Sequence, residues 1–168
     1  MRPDERINEA KRVLEAEAKA IFASSKKIGL NLSHCVDLII DCKGTIVISG
    51  IGKSGNIGKK ITSTFASLGT PAIFLHSSDA FHGDLGVLRK NDLLILISNS
   101  GETEELVKIL NYSKKNGNKS IAITGNINSA ISKKATISLD SSVESEACPL
   151  NLAPTCSTSV TMALGDAL

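Results

Sequence analysis

The sequence predicts an α/β protein built on a doubly wound, five-stranded parallel sheet with helices on both faces. Short β-branched, apolar segments alternate along the chain with segments of helical periodicity, which is typical of βαβ units. The strand segments are continuous apolar runs, as expected for a sheet that is covered on both faces. The length of 168 residues, with 42% hydrophobic and 21% charged residues, fits one globular domain.

Two helices are predicted before the sheet begins. Residues 5–29 carry apolar side chains at helical spacing, and a second short helix follows, capped by Asn31 or Ser33. We expect these N-terminal helices, residues 1–42, to cover an edge of the sheet or to form an oligomer contact. Residues 43–168 are predicted to form the α/β core of the same single domain.

The sheet and its helices follow from the same periodicity. Five strands are predicted at residues 45–49, 71–76, 92–98, 120–124 and 136–140. Further helices are predicted at residues 54–68, 103–115 and 128–134 and from residue 155 onward. Right-handed crossovers bring the loops that follow the strands to one edge of the sheet, where open α/β sheets bind ligands. The longest irregular stretch, residues 141–154, is too apolar to be simply disordered, so we expect it to be functional.

The composition argues against several functional classes. A formal net charge of +2 and an aromatic content of 3% disfavour a nucleic-acid-binding surface. No apolar run reaches the roughly 18 residues of a membrane span, and the first residues are charged where a signal peptide would be apolar. The four cysteines show no CxxC spacing, which indicates reduced thiols in a cytoplasmic protein rather than a zinc site or a disulfide framework.

The loop after the first predicted strand is rich in glycine. It reads GIGKSG over residues 50–55, and glycines there let backbone amides approach an anion at the start of a helix. A P-loop would need glycine at the position of Val47, so that motif is rejected. A dinucleotide fingerprint has this glycine spacing but needs an acidic residue at the end of the next strand, where His76 and Ser77 stand. We therefore favour an anion site over a dinucleotide site.

The loop after the third predicted strand carries three hydroxyl side chains. It reads SNSGET and opens another helix, so Ser98, Ser100 and Thr103 can surround an anion beside free backbone N–H groups. Capping of the helix by Ser100 or Thr103 would need only one hydroxyl and does not explain three. The sequence therefore predicts a phosphate-binding loop here.

Several titratable residues near the strand ends are candidates for proton transfer. Helical geometry puts Glu104 opposite the buried face of its helix and Glu105 on the flank, from which a carboxylate can reach a strand-end pocket. His82 lies in a glycine-bearing loop after a strand, a setting in which proton-transfer residues are often found. Glu146 lies in the long irregular stretch, and its spacing alone marks it only as a loop acid.

These motifs together resemble the sugar isomerase (SIS) domain family, and most closely its D-arabinose 5-phosphate isomerases. The matching stretches follow the family's order and are GIGKSG, HGDLG at residues 82–86, SNSGET, EACPLNLAPT at residues 146–155 and the terminal GDAL. The SNSGET loop marks only a SIS domain, whereas HGDLG together with EACPL is more specific to the arabinose 5-phosphate branch.

The resemblance implies an enzyme that interconverts D-ribulose 5-phosphate and D-arabinose 5-phosphate through an enediol and feeds synthesis of Kdo for lipopolysaccharide or capsule. It implies an active-site set of Lys53, His82, Glu105 and Glu146, with either glutamate as the base and His82 aiding ring opening or acid catalysis. It also implies a set of phosphate-binding residues or their neighbours, namely Ser49, Gly52, Ser54, Ser98, Ser100 and Thr103. No metal or nicotinamide cofactor is implied, and the expected partners are a pentose phosphate and further copies of the chain in a homodimer or homotetramer.

The chain also departs from that branch. Its members usually continue into a tandem CBS pair, which these 168 residues do not contain, and carry a further histidine beyond the SIS core. Asn56 and Phe81 stand where a histidine and a small polar residue are expected, so they can alter substrate preference. Two alternatives stay open: a non-catalytic sugar-phosphate sensor, which would need the phosphate loop but not the active-site set, and a SIS isomerase of another phosphosugar.

Overall fold

The computed structural model describes residues 2–150 and 152–168 and confirms the predicted α/β fold. Its strands are β1 (Ile46–Gly50), β2 (Ala72–His76), β3 (Leu93–Ile97), β4 (Lys119–Thr124) and β5 (Ile137–Asp140). They form one parallel sheet in the order β2-β1-β3-β4-β5, which is a doubly wound arrangement. The helices are α1 (Pro3–Ser25), α2 (Leu30–Ile40), α3 (Gly52–Ser67), α4 (Ser77–Ala80), α5 (Glu104–Lys115), α6 (Ala130–Lys134) and α7 (Cys156–Ala167).

The sheet separates two apolar layers. Ile46 and Ile48 of β1 belong to the layer that includes side chains of α2, α3 and α7, whereas Val47 belongs to the layer of α4, α5 and α6. Every residue of β1 and β3 is buried, because helices cover both faces of the sheet centre. The edge strands β2 and β5 are only partly buried. The prediction that helices cover both faces of the sheet is therefore confirmed for its centre and not for its edges.

The strand register brings the carboxyl ends of the strands together. Gly50, the last residue of β1, pairs with both His76 at the end of β2 and Ile97 at the end of β3. Ile97 in turn pairs with Ile123 of β4. The loops after β1, β2 and β3 therefore leave the sheet side by side, as the crossover rule predicts.

The two N-terminal helices lie against the core. Helix α1 packs along α7, where the Ser159 hydroxyl donates to Glu17 Oε2 over 2.5 Å. Helix α2 packs against the edge strand β5, where the Asn31 side-chain amide donates to the Ser138 carbonyl oxygen over 3.2 Å. The expectation that these helices cover a sheet edge is confirmed for α2. Helix α1 also exposes Leu14, but the predicted homo-oligomer stays a prediction.

Some boundaries differ from the sequence predictions. The predicted cap of α2 is wrong: the helix begins at Leu30 with Gly29 as its N-cap residue, and the Asn31 side chain bonds to β5 instead. Helix α3 begins at Gly52 rather than at residue 54, and Leu68, the last residue of the predicted helix, follows its end and is 78% exposed.

The segment between β2 and β3 is more ordered than a plain loop. It contains α4 and a 3₁₀ turn at Asp84–Val87, neither of which was predicted from the sequence. Both are four residues long, too short for apolar periodicity to mark them. His82 lies in the turn between them, and its backbone N–H donates to the Asp79 carbonyl oxygen over 2.9 Å.

Candidate active site

A cavity of about 330 Å³ involves the loops at the carboxyl edge of the sheet, in the size range of small-molecule sites. Four parts of the chain contribute to it: the start of α3, the loop after β3, the irregular stretch after β5, and α7. Its lining residues are Lys53, Ser54, Ile57, Asn99, Glu146, Leu152, Pro154, Ser157, Thr158 and Thr161. Three of the residues predicted for the site, Lys53, Ser54 and Glu146, are thus brought together by the fold.

The tight loop after β1 carries Lys53 and Ser54 into the first turn of α3. A Cβ atom on Gly55 would lie 2.9 Å from the Gly50 carbonyl oxygen, so only glycine allows this close approach. Gly52 has a φ of 56°, in the left-handed region that glycine adopts most readily. Within residues 2–150 and 152–168 no side chain caps α3, so its first N–H groups and the Lys53 ammonium make this end of the helix favourable for an anion.

The hydroxyls of the loop after β3 organise the loop itself. Ser98 Oγ accepts the Gly101 N–H over 3.0 Å and lies 2.9 Å from Thr103 Oγ1. Ser100 Oγ accepts the Glu102 N–H over 3.2 Å. Thr103 is the N-cap residue of α5, yet α5 has no side-chain cap. Capping therefore does not account for these hydroxyls, and phosphate binding by the loop stays a prediction.

The carboxylate of Glu146 is held at the start of α7. Its Oε2 accepts hydrogen bonds from the Thr155 N–H over 2.7 Å, the Thr155 hydroxyl over 3.1 Å and the Ser157 N–H over 3.2 Å. Burial by itself would raise the pKa of Glu146, but hydrogen bonds from Ser157 and Thr155 outweigh it and hold that pKa below its ordinary value. Glu146 is thus an ionised, oriented carboxylate beside the cavity.

The other predicted site residues lie outside the lining of this cavity. Glu105 is half-buried in the first turn of α5, and His82 is exposed in the turn after α4. Ser49 is fully buried near the end of β1, and its hydroxyl has no hydrogen-bond partner within residues 2–150 and 152–168. As predicted, Glu104 is a surface residue, and its Oε2 lies 3.8 Å from Lys108 Nζ. Of the remaining predicted positions, Gly52 is the first residue of α3, and Ser98, Ser100 and Thr103 belong to the loop after β3.

The contribution of α7 to the cavity was not predicted from the sequence. Ser157, Thr158 and Thr161 line the cavity, as does Asn99 of the SNSGET loop. Ser157 is 3% exposed, and its backbone N–H donates to the Glu146 carboxylate. A polar helix face in the sequence could have predicted this contribution. The three α7 positions have the spacing i, i+1, i+4, in a helix whose Val160 and Leu164 are buried.

Two broader features bear on the kind of site. Among the described residues, no group of three or more His, Cys, Asp or Glu side chains is arranged to hold a metal ion. In the same part of the chain, no helix is both long and apolar enough to cross a membrane.

Comparison with known proteins adds a family match and named relatives. Residues 38–168 match the SIS domain family. The chain is 47% identical over 163 residues to Arabinose 5-phosphate isomerase KpsF of Escherichia coli O6:H1, and these residues are 96% of this chain and 50% of that protein. It is 46% identical over 162 residues to Arabinose 5-phosphate isomerase KdsD of Pseudomonas aeruginosa, with the same coverage of both proteins. The chain therefore spans about half the length of these curated relatives.

A solved structure extends the similarity to the fold. An Escherichia coli CFT073 protein in complex with arabinose 5-phosphate superposes with a TM-score of 0.95 at 40% sequence identity. The superposition covers 99% of this chain and 89% of that one. The structural similarity therefore includes both α1 and α2. The family match, by contrast, begins within the last residues of α2 and does not include α1.

Proposed function

The chain belongs to the SIS domain family, and on that premise we propose that it is an aldose–ketose isomerase that interconverts D-ribulose 5-phosphate and D-arabinose 5-phosphate. The observation that carries the proposal is the shared cavity of Lys53 and Glu146, which joins a cationic helix start to an oriented carboxylate. The names of the relatives and the arabinose 5-phosphate complex of the structural neighbour support the pentose phosphate as substrate.

The phosphate of the substrate fits the side of the site formed by the loops after β1 and β3. Both loops lead into helices without side-chain caps, and N–H groups at a helix start favour a phosphate. Lys53 and Ser54 belong to the first of these helices, and Ser100 is exposed in the second loop. We assign phosphate binding to these residues together with Ser49, Gly52, Ser98 and Thr103.

Glu146 is proposed as the general base because it is the glutamate that lines the cavity. It removes the C2 proton of the open-chain aldose while O1 gains a proton, and this gives the enediol. The resulting carboxylic acid returns its proton to C1 while O2 loses its own, which gives the ketose. Lys53 can donate to the oxygen on which negative charge develops, and His82 is assigned to ring opening or acid catalysis.

The lowered pKa of Glu146 makes Glu105 the competing base. Hydrogen bonds that favour the carboxylate keep Glu146 ionised at neutral pH but reduce its basicity, whereas a general base works best with a pKa near the working pH. The carboxylate of Glu105 receives no hydrogen bond or ion pair from the residues that the structure describes. Position in the cavity favours Glu146 as the base, whereas its lowered pKa favours Glu105. Substituting each glutamate in turn therefore identifies the base.

The proposal is tested by incubating the protein with D-arabinose 5-phosphate in D₂O and following the sugar by proton NMR. We expect D-ribulose 5-phosphate to form with deuterium at C1, because the base exchanges its proton with solvent. Saturable thermal stabilisation by the sugar phosphate without turnover would overturn the enzyme and favour the sensor. Turnover of a different phosphosugar alone would overturn the assignment of the pentose.

Paired variants identify the base. We expect Glu146→Gln to lower kcat by about 10²- to 10⁴-fold, the usual contribution of a general acid or base. Glu144→Gln is its matched control, since Glu144 is exposed in the same stretch and does not line this cavity. Glu105→Gln is compared with Glu104→Gln, its exposed neighbour. Near-wild-type turnover of Glu146→Gln with loss in Glu105→Gln would transfer the role of base to Glu105.

A further inference from the structure

Helix α1 reaches across to the segment that carries Glu146. Arg12 donates from Nη2 to the Ala147 carbonyl oxygen over 2.5 Å, a contact between residues 135 positions apart. The same guanidinium donates from Nε and Nη2 to the two carboxylate oxygens of Glu9 over 2.8 and 2.7 Å. This bidentate pair fixes the plane of the guanidinium, so that it is oriented before it meets Ala147.

Ala147 is bonded through both of its backbone polar groups. Its carbonyl oxygen accepts from Arg12, and its N–H donates to Thr155 Oγ1 over 2.8 Å. The same Thr155 hydroxyl donates to Glu146 Oε2 over 3.1 Å. The two peptide groups that follow Glu146 are therefore both tied, one to α1 and one to the residue that also holds the carboxylate.

A second contact ties α1 to the other side of the carboxylate. Glu17 Oε2 accepts from the Ser159 hydroxyl over 2.5 Å, and Ser159 lies in the first turns of α7. The N–H of Ser157 in the same helix donates to Glu146 Oε2 over 3.2 Å. Helix α1 thus contacts both parts of the chain that position Glu146.

We propose that Arg12 is a positioning residue for Glu146, which it orients in the cavity by anchoring the backbone at Ala147. Its role in turnover rests on the proposed function, while the anchoring does not. The SIS domain match begins at residue 38, so Arg12 lies outside the residues that match the family. Through Arg12, helix α1 would contribute to the geometry of the active site. The exposed pair with Glu9 alone would contribute little, so the contact with Ala147 is what gives Arg12 this role.

Amide hydrogen exchange tests the anchoring without any assay of activity. Arg12→Ala is compared with wild type and with Lys11→Ala, which removes the same charge from the neighbouring exposed position of α1. We expect peptides that span residues 145–150 to exchange at least several-fold faster in Arg12→Ala and at the wild-type rate in Lys11→Ala. Unchanged exchange in Arg12→Ala, or equal acceleration in both variants, would overturn the anchor.

Kinetics test the consequence for the reaction. We expect Arg12→Ala to lower kcat by up to about 100-fold, as for small misplacements of a reacting group, with little change in KM because Arg12 does not line the cavity. Arg12→Lys keeps one donor and is expected to recover part of the loss. The acidic limb of the pH profile is expected to move to higher pH in Arg12→Ala, because looser hydrogen bonds let the pKa of Glu146 rise toward its ordinary value.

A double-mutant cycle separates positioning from general damage. If Arg12 acts through Glu146, Arg12→Ala changes the residual kcat of a Glu146→Gln protein by less than about 2-fold. An equal loss in both backgrounds would overturn the role. Failure of the wild-type protein to turn over D-arabinose 5-phosphate would contradict the proposed function alone, because the exchange experiment would still decide whether Arg12 anchors the segment.

Discussion

Replacing Thr155 with valine removes one hydroxyl that serves two partners in the segment carrying Glu146. That hydroxyl accepts the Ala147 N–H over 2.8 Å and donates to Glu146 Oε2 over 3.1 Å. Valine keeps the branched shape of threonine and loses both bonds. Ala147 is 2% exposed, so its N–H would be left buried without an acceptor, while Glu146 keeps the N–H groups of Thr155 and Ser157.

The expected destabilisation follows from these two losses. An orphaned buried N–H destabilises by about 1–3 kcal/mol, and a lost hydrogen bond to a charged group by about 1.5 kcal/mol at the lower end. We therefore expect Thr155→Val to lower the free energy of unfolding by about 2.5–4.5 kcal/mol. In a domain of this size each kcal/mol shifts Tm by about 2–4 °C, so Tm is expected to fall by about 5–18 °C.

Urea and thermal unfolding followed by circular dichroism measure this loss. Thr158→Val is the matched control. Among the described residues, the Thr158 hydroxyl donates only to backbone carbonyl oxygens three and four residues earlier, so its loss is expected to destabilise less. The folded-state pKa of Glu146 lies below its ordinary value of 4.5, so the stabilisation from its ionised form is present at neutral pH. It is lost as the pH falls through the folded-state pKa, and the gap between wild type and Thr155→Val should narrow there. A wild-type Tm for Thr155→Val at pH 7 would refute this reasoning.

Two further predictions concern other parts of the chain. Burial raises the pKa of the Cys35 thiol to about 11, so Cys35 should react with Ellman's reagent only after unfolding. The half-buried Cys42 and Cys148 should react in the folded protein. Rapid labelling of Cys35 in the folded protein would contradict this prediction. Gly101→Ala should destabilise the loop after β3 and weaken sugar-phosphate binding, because Gly101 has a φ of 67° and a Cβ atom would collide with the Ser129 side chain. Unchanged Tm and unchanged sugar-phosphate affinity, the latter measured by calorimetry, would contradict the second prediction.

Much of the fold could be predicted from the sequence because its signals are local. The apolar spacing of Leu106, Ile109 and Leu110 marks the buried face of α5, and all three are fully buried, while Glu104 on the opposite face is exposed. The continuous apolar runs of β1 and β3 likewise indicate strands covered on both faces, and every residue of these two strands is buried. Once the strands are parallel, the handedness of crossovers determines that GIGKSG and SNSGET meet at one edge.

The family motifs also pointed to Glu146 and Lys53, but the environment of Glu146 was not predictable. Its lowered pKa depends on Thr155 and Ser157, whose N–H groups face the carboxylate only because the irregular stretch folds back on the start of α7. The short helix α4 was missed as well, since four residues are too few to show a period.

The five strands, the longer helices, their order and the positions of the GIGKSG and SNSGET loops could be predicted from the sequence alone. Helix and strand periodicity and glycine-rich turns follow from the local backbone and from which residues avoid water. The position of α7 in the cavity lining and the contact of α1 with Ala147 became visible in the three-dimensional packing. These contacts join residues far apart in sequence, such as Arg12 and Ala147. They depend on how the helical layers pack on the sheet, and no periodic pattern within a single segment encodes that packing.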